Sequence, residues 1–176
     1  MSKIALKPIG DIAPGILEKL KGNLKETFGQ AVEIKMPLTG LDHAYNSRQD
    51  QYHSTAFLDA MSNEEERILG VCDVDLYVPG LNFVFGQASP IRKVAVISLF
   101  RLRPERYGLP RDERLFAERA AKEAIHELGH TYGLGHCDDE RCVMHFSNSL
   151  SETDRKSTLF CKDCAKKLNR GGGLIS

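Results

Sequence analysis

The chain has 176 residues and a formal net charge of zero, with 24 Lys plus Arg against 24 Asp plus Glu. That length suits one domain with a substantial core, and the balanced charge leaves no basic field to gather nucleic acid or an anionic membrane surface. No apolar run approaches the roughly 20 residues of a membrane span and the opening MSKIALKPIG lacks a signal-peptide core, so a soluble, cytoplasmic protein is expected.

In chain order, KIALKPIG (3–10) alternates apolar and polar residues and reads as a first strand. Asp11 or Pro14 then opens a helix with Ile16, Leu17, Leu20, Leu24 and Phe28 on one face. AVEIKMPL (31–38) reads as a second strand. The polar, aperiodic stretch 40–55 reads as a loop, and FLDAMSNEEERIL (57–69) as a short helix. Three β-rich runs follow: LGVCDVDLYV (69–78), LNFVFGQA (81–88) and KVAVISLF (93–100). The last is nearly continuous apolar, as a central strand is. Cys72, in the first run, reads as a small apolar side chain in a buried strand.

From about Asp112 to Tyr132, the residues Ala117, Ala120, Ala121, Ala124, Ile125 and Leu128 make one buried stripe of a helix. His126 and His130 fall on the opposite side, expected to face an open cleft. After residue 133 the composition turns to Gly, Asp, Ser and Cys, with only CKDCAKKLNR (161–170) helical in pattern and RGGGLIS as a tail. This stretch is too small for a core of its own. The expectation is an α+β fold in one domain: a sheet-and-helix part, 1–133, and a small C-terminal subdomain, 134–176.

HELGHTYGLGHCDDERCVM (126–144) concentrates the chemistry. His126 and His130 are one helical turn apart and can reach the same metal ion, while Glu127 is placed to contact a water on that ion. Three protein ligands leave zinc one open position, and a carboxylate nearby can take a proton from the acidified water. Gly133 allows the helix to end in a left-handed turn, so that His136 can return as a third nitrogen ligand.

Five cysteines in such a chain point to metal or redox use rather than a disulfide framework. Cys137 and Cys142, joined by a loop to Cys161 and Cys164, have the spacing of a closed four-thiolate zinc site. A redox CxxC and paired disulfides are the alternatives. His145 reads as a cleft-wall or surface residue.

HELGHTYGLGH resembles the extended zinc signature of the metzincin metallopeptidases, and its continuation through CDDERCVM to CKDC resembles the archaemetzincin branch. The resemblance implies a zincin-like fold: a twisted mixed sheet with an edge strand over the cleft, here residues 81–88, packed against an active-site helix. It implies His126, His130 and His136 as catalytic zinc ligands and Glu127 as general base. Met144 becomes the Met-turn residue beneath the metal, and the cofactor complement is two zinc ions per chain, one catalytic and one structural. The position two residues after Met144 is Phe146 where some metzincins carry Tyr, so no tyrosine role arises there. The expected function is peptide-bond hydrolysis on a peptide or protein substrate. The rival is a non-catalytic, zinc-stabilised peptide-binding module, against which Glu127 counts.

Overall fold

A computed structural model of the chain describes residues 2–62 and 66–170. These form, in order, β1 (Lys3–Pro8), α1 (Pro14–Phe28), β2 (Ala31–Ile34), β3 (Tyr45–Asn46), β4 (Gln51–His53), α2 (Ser54–Met61), β5 (Arg67–Cys72), β6 (Leu76–Tyr77), β7 (Gly86–Ser89), β8 (Val94–Ser98), α3 (Glu113–Thr131), α4 (Leu150–Arg155) and α5 (Lys162–Arg170). Five strands make one sheet in the order β2-β1-β5-β8-β7; the first four are parallel, and β7 pairs antiparallel to β8 at the edge. Three short strands, β3-β4-β6, make a second sheet.

Side chains alternate across the main sheet, as the strand period requires. Ile4, Leu6, Leu69, Val71, Ala95 and Ile97 pack against α1 and α3. Ala5, Ile68, Val94 and Val96 pack with Phe57, Leu58 and Met61 of α2 on the other face. The parallel strands are therefore covered on both sides, which explains why KVAVISLF carries no alternation of polarity. Pro14 starts α1, and the five expected residues Ile16, Leu17, Leu20, Leu24 and Phe28 are its buried set. Asp112 caps α3 by accepting from the Leu115 amide.

Several expectations need correction. The stretch 40–55 is not loop throughout: it holds a short 3-10 turn at Asp42–Ala44, β3, β4 and the start of α2. The strand expected over 81–88 is regular only from Gly86, and β7 is the edge strand beside the cleft. Run 69–78 splits into β5 and β6, which belong to different sheets. α3 is not half open: Arg119, Lys122, Glu123, His126 and Glu127 are buried along with the alanine stripe. α4 was not expected. Ser149 and Glu152 close a capping box at its start. The helix expected over 57–69 runs Ser54–Met61, and Arg67–Leu69 already belong to β5; residues 63–65 of that stretch and the expected tail beyond residue 170 lie outside the described residues. No helix among the described residues is long and apolar enough to cross a membrane.

Candidate metal centre and its cleft

α3 crosses behind the antiparallel edge of the sheet, so its last two turns meet β7 on one side and the segment after Gly133 on the other. Gly133 has φ of 88°, the left-handed conformation a helix end of this kind needs. Leu134 then turns back and offers its carbonyl to His130 Nδ1 at 2.8 Å. His126 Nδ1 lies 2.8 Å from the Val143 carbonyl. With each Nδ1–H donated to a carbonyl, both Nε2 atoms are neutral acceptors, and they stand 3.0 Å apart. His136 completes the group, its ring centroid 5.4 Å from that of His126 and 4.9 Å from that of His130. One ligand atom from each of the three lies within 4.8 Å of the others. Three neutral imidazoles converging in this way suit a borderline-soft divalent ion such as zinc.

Burial holds the His126 and His130 imidazoles below their ordinary value, with the nearby Lys156 ammonium acting in the same direction. The rings are thus uncharged and ready to bind metal at neutral pH. Glu127 faces the same cleft of about 690 Å³, bordered also by Phe83, Phe85, Gly86, Gln87 and Phe146. Burial pushes its carboxyl up to about 8; the Glu123 carboxylate adds to the rise and the Lys156 ammonium opposes it. Met144 is fully buried against α3, in space that Gly129 provides: a Cβ on Gly129 would lie 2.5 Å from Met144 Sδ.

Behind His136 the four late cysteines meet, with one sulfur from each within 4.8 Å of the others. All are free thiols, Cys137 and Cys161 being 3.7 Å apart at sulfur, so no disulfide joins any two of them. Backbone amides point at the sulfurs: Cys161 N–H donates to Cys142 Sγ at 3.3 Å and Cys164 N–H to Cys161 Sγ at 3.5 Å. The second of these contacts holds the Cys161 thiol below its ordinary value, while burial raises those of Cys142 and Cys164. Cys72 stands apart in β5, where burial pushes its thiol up to about 12. It is a packing residue.

Residues 16–170 match the model of peptidase family M54. The chain belongs to that family. It is 46% identical to the archaemetzincin of Methanocaldococcus jannaschii over 177 residues, covering 99% of this chain and 97% of that protein. The crystal structure of the Methanopyrus kandleri archaemetzincin superposes with a TM-score of 0.84 at 42% identity, covering 97% of this chain and 94% of that one. A zinc-dependent peptidase from Methanocorpusculum labreanum gives 0.85 at 29% identity, covering 94% and 100%. The expected fold class and family are thereby established, and the M54 chain is a zinc metallopeptidase acting on peptides.

Within this peptidase the structure gathers residues that sequence reasoning missed. Gly86 of β7 lies directly over Glu127: a Cβ there would sit 2.7 Å from Glu127 Cγ and 2.6 Å from the Val96 carbonyl. Gly86→Ala is expected to displace the Glu127 carboxylate; if that carboxylate takes part in the chemistry, kcat should fall by about 100-fold, the usual effect of misplacing a reacting group by about 1 Å. Zinc content should be unchanged. A variant with the wild-type rate would show that Glu127 is not held from this side.

Two further buried charged side chains, Glu123 and Lys156, border the cleft, and α4 is docked on α3 by polar contacts. Arg119 holds both Asp154 carboxylate oxygens at 2.7 Å, and Thr153 Oγ1 donates to Glu123 at 3.1 Å. His145 is not on the cleft wall; its Nδ1 lies 2.8 Å from the Cys137 carbonyl.

The raised Glu127 carboxyl also predicts a pH effect on the zinc-free protein. Its value rises from 4.5 to about 8 on folding, so between those values the folded state binds the extra proton. Stability contributed at this site is present at low pH and is lost as pH rises through that window. His126 and His130, with lowered values, give the opposite slope as pH rises towards 6.5. Comparing urea unfolding of zinc-free wild type and Glu127→Gln isolates the carboxyl, because the histidines are common to both. The variant should gain on wild type as pH rises from 5 to 8; a constant difference would place Glu127 in a polar setting.

Proposed function

We propose that His126, His130 and His136 hold the catalytic zinc, that Glu127 is the general base, and that Cys137, Cys142, Cys161 and Cys164 hold a second, structural zinc. The observation that carries the reading is the convergence of three imidazoles and one buried carboxylate on a single cleft bounded by an edge strand. Zinc, when bound there, polarises the scissile carbonyl and acidifies a water. Glu127, buried and facing the three histidines in the cleft, would accept a proton from water there and return it to the leaving amine. The Leu134 and Val143 carbonyls fix the imidazole tautomers. Met144 forms the floor of the histidine site, in the manner of a Met-turn. The free edge of β7 accepts an extended peptide as an added antiparallel strand. Residues 134–176 act as a small subdomain whose four-thiolate ion, closed to solvent chemistry, shapes the loop carrying His136. Free thiols of this kind suit the cytoplasm.

The test is a peptide-library digest by the zinc-loaded protein together with elemental analysis. Cleavage that stops on chelation and returns with zinc is expected, at about two zinc ions per chain. Four thiols should become titratable only as zinc leaves. Absence of cleavage at full zinc occupancy would leave a peptide-binding module, and one zinc per chain would remove one of the two sites.

A further inference from the structure

The hydrolytic reading leaves Glu123 and Lys156 without a task. Glu123 is one turn before Glu127 on α3, and both border the cleft that holds the histidines. The side chains of Glu123 and Lys156 are nearly enclosed, 4% and 0% exposed, so they form the inner wall of the cleft rather than its mouth. The Lys156 ammonium has three hydrogens to donate. Its neighbours are Glu123 Oε1 at 3.3 Å and the His145 carbonyl at 3.4 Å, both long for N–H···O bonds. The contacts of Glu123 with Thr153 and Lys156 both fall on Oε1, which leaves acceptor capacity at Oε2. Lining the same cleft, Ser147 Oγ is buried without a hydrogen-bond partner among the described residues.

A buried ion pair is not held for stability, since well-packed apolar residues in its place are often no worse. An unpaired buried hydroxyl costs free energy as well. The wall therefore offers hydrogen-bond capacity of both kinds with no net charge. A third charge brought against a neutral pair would be desolvated without compensation. An apolar side chain would seal these groups unsatisfied. A carboxamide brings an NH2 donor and a carbonyl acceptor and no charge.

We infer that this wall takes a glutamine or asparagine side chain of the substrate next to the scissile bond, its NH2 donating to Glu123 and its carbonyl accepting from Ser147 or Lys156. The inference rests on the peptidase reading of the cleft, but binding tests it separately. Zinc-loaded protein is titrated with N-acetyl methylamides of glutamine, leucine, glutamate and lysine, followed by amide NMR. The glutamine probe should bind at least about tenfold more tightly than the other three, the ratio that one satisfied hydrogen bond of about 1.4 kcal/mol gives. It should also shift the Ser147, Thr153 and Lys156 amides.

The double variant Glu123→Leu with Lys156→Met should reverse the preference towards leucine. Ser147→Ala, a smaller change, should weaken glutamine binding several-fold and leave leucine binding unaltered. Equal or tighter binding of the leucine, glutamate or lysine probe by wild type overturns the inference. So does a glutamine preference that survives in Ser147→Ala and in the double variant. Loss of peptide cleavage with the glutamine preference intact would count against the peptidase reading alone.

Discussion

Glu127→Gln is expected to lower kcat on any cleaved peptide by about 10³-fold while both metal sites keep their zinc. The substitution preserves the shape of a side chain that packs against Gly86 and lies buried between α3 and β7. It removes only the ability to take up a proton, which is worth roughly 10²- to 10⁴-fold in general base catalysis. Zinc should stay because the imidazole orientations depend on the Val143 and Leu134 carbonyls, not on Glu127. KM should change little, since in the proposed role the carboxylate acts on water and not on the bound peptide. The measurement is kcat and KM on one peptide, with zinc content determined on the same preparation. A variant as fast as wild type would move the base elsewhere. A slow variant that had also lost zinc would make Glu127 a support of the metal site.

The parts of the site that were legible in sequence are those whose geometry is local. His126 and His130 share one helix, and Gly133 and His136 follow within six residues, so helical pitch and one left-handed turn are enough to bring three imidazoles together. The cysteine pairs are likewise short-range motifs. The cleft wall was not legible, because its members come from distant parts of the chain and are polar. Arg119, Lys122 and Glu123 lie outside the alanine stripe of α3 and carry no apolar signal, yet they are buried, with polar contacts to α4 and the residue after it. Their partners Thr153, Asp154 and Lys156 lie some thirty residues away.

One local signal does mark α4 in the sequence. Ser149 and Glu152 have the spacing of a capping box, which marks the start of α4. At the edge strand the aromatic FVF run drew the expected strand too early. Phe83 and Phe85 instead make an edge-to-face pair at 5.2 Å on the cleft wall, and pairing with β8 begins only at Gly86. β3, β4 and β6 are two or three residues long, too short for a period of two to show.

Cys161→Ser is expected to weaken zinc at the histidine site by about 10- to 100-fold, the range found when groups that orient metal ligands are removed, and to lower the melting temperature. Four thiolates around one zinc carry folding free energy directly, and replacing a thiolate by a hydroxyl removes one thiolate ligand and exchanges the sulfur that accepts from the Cys164 amide for an oxygen on a shorter bond. The consequence travels through one peptide bond. Cys137 follows His136 and is held by its sulfur in the cysteine cluster, by its amide donating to the Met144 carbonyl at 3.0 Å, and by its carbonyl against His145 Nδ1 at 2.8 Å. His126 and His130 are anchored on α3 and by backbone carbonyls, whereas His136 is exposed and rests on Phe146 at 5.0 Å between ring centroids. When the sulfur anchor goes, His136 is therefore the ligand that loosens. Zinc titration of Cys161→Ser against wild type, with Lys162→Ala as the neighbouring surface control, measures the coupling. A variant that has lost the cysteine-bound zinc and still binds zinc at the histidines with wild-type affinity would show that the two sites are independent.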